Sequence, residues 1–128
     1  MPLLLDSNSF LWALYETGRL GPEAKKLLKK TGAVYVSVAS LWELAIKHAK
    51  GMLPYSPNEL ADGVGALGTI LLPIKLTHLD NLRRTKLTHK DPFDTILISQ
   101  SSVEGCVFLT ADSQILKAKL AFVRDASK

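Results

Sequence analysis

Short unbroken apolar runs alternate along the chain with longer stretches in which apolar residues recur every three or four positions. The runs Leu3-Leu4-Leu5, Ala33-Val34-Tyr35-Val36, Thr69-Ile70-Leu71-Leu72 and Cys106-Val107-Phe108-Leu109 are short and apolar, and the second is rich in β-branched and aromatic residues. They read as strands, with Ala121-Phe122-Val123 as a fifth. Between them lie helical stretches: Ser9–Tyr15, Glu23–Lys30, Ala39–Ala49, Leu76–Arg84 and Asp112–Leu116. Another helix opens at the capping-box pattern Ser56-Pro57-Asn58-Glu59, and a longer one runs from Asp91-Pro92 to about Val103. Pro22 starts the second helix, and Gly32, Gly51 and Gly105 stop three of them.

Strands alternating with helices predict an α/β fold, three layers deep, with a central, mostly parallel sheet of four to five strands. The strands are apolar on both faces, as expected of strands covered by helices on each side. In such sheets ligands bind beyond the carboxyl ends of the strands. That rule makes residues at strand exits the first candidates for chemistry.

Composition narrows the picture. A length of 128 residues suits one domain, residues 1–128, and 47% hydrophobic with 22% charged residues excludes a disordered chain. No apolar run approaches the ~18–20 residues that cross a bilayer. The apolar start at Leu3 lacks a basic region before it and reads as a strand, not a signal peptide. Cys106 is the single cysteine, so no internal disulfide forms, and its apolar setting predicts an inert core thiol. Together these features predict a cytoplasmic protein without a membrane partner. The net charge of +4 points mildly to a polyanionic partner. The excess is +1 over residues 1–64 and +3 over residues 65–128.

Acidic residues stand at the places the topology singles out. Asp6 follows the first strand and Asp112 follows the fourth, in Phe108-Leu109-Thr110-Ala111-Asp112. Each is a good N-cap for the helix after it. Each is also a carboxylate at a strand exit, and on neighbouring parallel strands the two would face one crevice. Asn8 would add a polar contact there. Asp91-Pro92-Phe93-Asp94 makes a good helix start: cap, proline in the first turn, acid near the positive end of the dipole. Asp94, however, shares a helical face with Leu97, Ile98 and Ser101, which directs it towards the interior edge. An ionised carboxylate there needs a partner, and a cation would serve. Glu43 has Lys47 one turn on, so spacing alone favours a surface ion pair.

Other signals fail on context. Gly63-Val64-Gly65-Ala66-Leu67-Gly68 matches a dinucleotide fingerprint but trails a helix and precedes a strand, the wrong order. His48, His78 and His89 are too scattered for a histidine zinc site, and no serine lies in a nucleophile elbow. Lys25, Lys26, Lys29 and Lys30 form a solvated helix face. Arg83, Arg84, Lys86 and Lys90, with His89, lead into the Asp91–Asp94 stretch and either grip phosphates or line a solvated loop.

Four segments in order, Leu4-Leu5-Asp6-Ser7-Asn8, Ser40-Leu41-Trp42-Glu43-Leu44-Ala45-Ile46-Lys47, His89-Lys90-Asp91-Pro92-Phe93-Asp94 and Leu109-Thr110-Ala111-Asp112, resemble the PIN-domain family. Within it they are similar to the VapC-type toxins of prokaryotic toxin–antitoxin pairs. The resemblance spans essentially the whole chain. It implies an α/β/α sandwich, endoribonuclease activity dependent on Mg²⁺ or Mn²⁺, a homodimer, and inhibition by a cognate antitoxin. It maps the family's acidic set onto Asp6, Glu43, Asp94 and Asp112, and so moves Glu43 from surface pair to candidate ligand. Asp91 becomes an auxiliary acid, and Asn8 and Thr110 polar neighbours. Ser7 stands where Thr is more usual, and Thr95 where Arg often follows the acid. The rival readings are a PIN module that binds RNA or a partner without turnover, a phosphatase acting through Asp6, and a phospho-acceptor signalling domain. For a phosphatase, Asn8 stands where a second aspartate is wanted.

Overall fold

The computed structural model describes residues 1–85 and 91–128. Among the described residues the elements are β1 (Leu3–Leu5), α1 (Ser7–Tyr15), a 3-10 turn (Thr17–Arg19), α2 (Pro22–Lys30), β2 (Val34–Ser37), α3 (Val38–Ala49), α4 (Pro57–Ala66) and β3 (Ile70–Leu72). There follow α5 (Leu76–Asp80), a 3-10 turn (Asn81–Arg84), α6 (Pro92–Glu104), β4 (Val107–Thr110), α7 (Ser113–Lys117) and β5 (Val123–Asp125). The strands form one sheet in the order β3-β2-β1-β4-β5, and every neighbouring pair is parallel.

Side chains of β1 alternate across the sheet and seed a core on each face. Leu4 and Phe108 pack with Leu97 and Ile98 of α6 and Ile115 of α7. Leu5, Val36 and Leu109 pack with Phe10 of α1, Ala24 of α2 and Leu60 of α4. Each of the larger of these buried side chains contributes roughly 1.5–3 kcal/mol. This is the three-layer arrangement that the alternation predicts.

The departures have local causes. Helix α1 starts at Ser7 rather than Ser9 because Asp6 caps it, taking the Ser9 N–H at 2.8 Å. Strand β2 runs straight into α3 because Ser37 is at once the last strand residue and the N-cap, accepting from Ala39 N–H at 3.0 Å. The stretch expected as one helix over Leu76–Arg84 is α5 followed by a tighter 3-10 turn. Strand β5 lies two residues later than Ala121–Val123, because Ala121 and Phe122 form the turn that delivers Val123 beside Phe108. Strand β3 is an edge strand and leaves Ile70 and Leu71 about half exposed (48% and 45%), so its apolar run does not mean cover on both faces. Gly105 ends α6 with φ 67°, a left-handed conformation that glycine adopts without penalty. The Gly63–Gly68 fingerprint falls within α4 and the turn after it, which agrees with its rejection. Among the described residues no helix is long and apolar enough to cross a membrane.

Candidate active site

Because all strands run the same way, their carboxyl ends share one edge. Asp6 leaves β1 and Asp112 leaves β4, and the two strands are hydrogen-bonded neighbours. A crevice of about 470 Å³ opens at this edge, and its walls include Asp6, Glu43, Asp91, Asp94 and Asp112. All four acids of the proposed set, from four separate parts of the chain, therefore border the same crevice. Asn8 lines it too.

The helix-capping reading of the aspartates is also correct. Asp6, Asp91 and Asp112 each accept backbone N–H groups through one carboxylate oxygen, at the starts of α1, α6 and α7. The distances are 2.8 Å for Asp6, 2.9 and 3.4 Å for Asp91, and 2.9 and 3.0 Å for Asp112. Capping fixes the orientation of each carboxylate and brings three positive helix ends to the crevice.

Asp6 is the most enclosed acid, with 6% of its surface exposed. Its second oxygen accepts the Thr110 hydroxyl at 2.6 Å, and the same hydroxyl oxygen accepts Asp112 N–H at 3.1 Å. Thr110 is thus the physical link between the two strand-exit aspartates. Burial raises the Asp6 pKa above the ordinary carboxylate value, and nearby Glu43 adds to the rise, against the opposing hydrogen bonds from Ser9 and Thr110.

Glu43 accepts the Ser7 hydroxyl at 2.6 Å through one oxygen and lies 3.6 Å from Lys47 Nζ through the other. The expected ion pair exists, but it is not a surface pair: the Glu43 side chain is 16% exposed and lies in the crevice wall. Asp94 enters from the first turn of α6, while Leu97, Ile98 and Ser101 on its face are buried, as their spacing implied.

The basic residues fare differently. Arg83 pairs with Asp80 at 3.6 Å, and Arg84 lines a separate hollow with Asn81, Ile98 and Phe122. Neither is part of the crevice wall, because the turn carrying them packs against α6 on another side. Lys86, His89 and Lys90 lie outside the described residues. In their place the structure puts Arg19 and Lys47 at the crevice. Arg19 lies 4.7 Å over the Trp12 ring, and Trp12 is also in the wall. Nothing in the local sequence around Arg19 marks it as a site residue. Lys47 was legible only as the partner of Glu43.

The PIN-domain model matches residues 3–120. The chain belongs to the PIN-domain family. Solved structures align with it along nearly its whole length. VapBC2 from Rickettsia felis, bound to a DNA fragment of its promoter, aligns with a TM-score of 0.69 at 15% identity, over 98% of this chain and 98% of that one. A toxin–antitoxin complex from Klebsiella pneumoniae aligns with a TM-score of 0.64 at 14% identity, over 95% of each chain. At these identities the likeness is one of fold. No curated protein matches the chain significantly.

The donor set of this PIN domain fits a hard divalent cation in kind. Its oxygens are carboxylates, and burial of Asp6 beside Glu43 opposes ionisation in a way that a cation would relieve. Among the described residues no three acidic, imidazole or thiol groups converge tightly enough to enclose an ion. The acids border the crevice rather than close on one point within it.

Proposed function

We propose that this PIN domain is a ribonuclease that hydrolyses RNA phosphodiester bonds with the help of Mg²⁺ or Mn²⁺. The observation that carries the reading is that Asp6, Glu43, Asp94 and Asp112 line one crevice at the carboxyl edge of the sheet. A carboxylate pocket repels a phosphate, so a cation is needed for substrate binding as well as for chemistry. Asp6, Asp94 and Asp112 would hold it. When bound, it supplies Lewis acidity towards the phosphodiester and the attacking water. Glu43, steadied by Ser7, orients that water for in-line attack. Thr110 holds Asp6 against Asp112. Water adds to phosphorus and the bond to the 3′ oxygen breaks, leaving a 3′-hydroxyl and a 5′-phosphate, as the family resemblance implies. No side chain forms a covalent intermediate.

The fold it shares with two toxin–antitoxin complexes supports a role as the toxin of such a pair, held by a cognate antitoxin. In this reading residues 1–128 act as one cytoplasmic domain and assemble as a homodimer. The phosphatase reading has less support: Asp6 is buried with both oxygens hydrogen-bonded, a poor position for a nucleophile.

The test is RNA cleavage with Mg²⁺ or Mn²⁺, with chelator, and in Asp6→Asn and Asp94→Asn. Cleavage should need the cation and fall at least about a hundredfold in either variant. Full activity in chelator or in both variants rules the mechanism out. RNA or partner binding without metal-stimulated cleavage would instead favour a non-catalytic module.

A further inference from the structure

Beside the acidic crevice lies a second hollow of about 390 Å³, bordered by Lys50, Met52, Pro92 and Phe93. Glu43, Lys47 and Asp91 are common to the walls of both, so the two are continuous. At this side stands Trp42, 59% exposed, one residue before Glu43. Its ring meets Phe93 edge to face, with centroids 4.9 Å apart and planes at 83°. Phe93 in turn immediately precedes Asp94. An aromatic pair is therefore built from the chain neighbours of two crevice acids.

We propose that Trp42 and Phe93, with Lys47 and Lys50, form a nucleotide subsite in which an unpaired base stacks on Trp42 and the adjoining phosphate meets the lysines. The proposal rests on the RNA reading above and deepens it. Burying the remaining face of a tryptophan is favourable, and the edge contact with Phe93 orients the ring before a ligand arrives. Lys50 has no ion pair among the described residues, and Lys47 reaches Glu43 only at 3.6 Å. An exposed aromatic ring in contact with Phe93, which shares its hollow with Lys47 and Lys50, matches a base and its phosphate better than it matches a neutral protein surface. Stacking accepts any base, so the subsite selects single-stranded RNA rather than a sequence.

The test is the binding of a short fluorescein-labelled single-stranded RNA, read by anisotropy on the Asp6→Asn chain so that RNA is not consumed. Trp42→Ala should weaken binding about tenfold, as loss of one stacked base does, and Trp42→Phe should keep most of the affinity. Lys50→Ala should lower the salt dependence by about one phosphate contact. On a Trp12→Phe background, RNA should quench the Trp42 fluorescence, and an abasic strand of the same length should not. Should Trp42→Ala fail to fold, the quenching and Lys50→Ala arms decide. Affinity unmoved by Trp42→Ala overturns the subsite. So does a Trp42→Ala chain that changes from dimer to monomer in sedimentation yet keeps its RNA affinity, since the ring then covers a second copy. Cleavage without Trp42-dependent binding sinks only the subsite; Trp42-dependent binding without cleavage by the unsubstituted chain sinks only the nuclease reading.

Discussion

Among the described residues, the buried polar groups around His78 and around Asp6 are built in opposite ways. At His78, between α5 and α6, the imidazole is fully buried and satisfied on both sides. Its Nδ1 accepts Lys75 N–H at 2.9 Å, and its Nε2 donates to Glu104 at 2.7 Å. Glu104 is answered again by Lys75 Nζ at 3.8 Å, and the Ser99 hydroxyl donates to the His78 carbonyl at 2.6 Å. Only the Gln100 Oε1 atom of this cluster lacks a partner among the described residues. At Asp6, nearly as enclosed, the hydrogen bonds are as short, but another acid, Glu43, lies close enough to oppose its ionisation. The first cluster consumes its own charge and has no need of a ligand. The second sets five carboxylates against Arg19 and Lys47 around one crevice, an excess of acid. Buried polarity that balances itself is architecture, whereas buried polarity left out of balance is a site.

That contrast can be broken by mutation. His78→Ala removes a balanced group, leaving the Lys75 N–H without its acceptor and Glu104 with only the longer contact to Lys75 Nζ, so chemical denaturation should show a loss of about 2–4 kcal/mol. RNA cleavage per folded molecule should hardly change. A large loss of cleavage with unchanged stability would mean that the cluster is not merely structural.

Asp6→Asn should do the reverse, and pH exposes why. Burial makes the folded protein hold the Asp6 proton more tightly than the unfolded chain, whose carboxyl titrates near the ordinary 3.8. The stabilisation is complete below that value and is lost as pH rises through the higher folded pKa. In chelator, the stability of the unsubstituted chain relative to Asp6→Asn should therefore fall with rising pH over this window. Added Mg²⁺ should restore it by pairing with the ionised form. A difference between the two chains that does not vary with pH would show that Asp6 is as balanced as His78.

The smallest expected effect is at Ser7, whose hydroxyl steadies Glu43. Ser7→Ala should cost about 1 kcal/mol of stability, the net worth of a hydrogen bond, and reduce cleavage about tenfold by freeing the Glu43 carboxylate. Ser7→Thr should retain both. Equal cleavage by Ser7→Ala would remove Ser7 from the site.

Much of this was readable without coordinates. The alternation of apolar runs with helical stretches implied the parallel sheet, and Asp6 and Asp112 were marked by following strands. Asp94 was marked by sharing a face with Leu97 and Ile98. Glu43 was not legible from spacing, because a lysine one turn away explains it equally well; family resemblance added it. Arg19 and Lys47 carried no local signal as crevice residues, and Arg83 and Arg84, left open between phosphate contacts and a solvated loop, do not line the crevice. Charge near an acid in sequence is no guide to charge near it in space when a packed turn separates them. Burial of Cys106, whose thiol is pushed up to about 11 mainly by desolvation, follows from its apolar setting and agrees with an inert core role.

The sequence alone determined where strands end and which acids stand at those ends, because periodicity, caps and glycine stops are local properties of the chain. It could not decide that β1 lies between β2 and β4, so that Asp6 and Asp112 are neighbours and Thr110 joins them. Strand order is settled by which apolar faces pack together across long chain separations, and only the folded molecule performs that comparison.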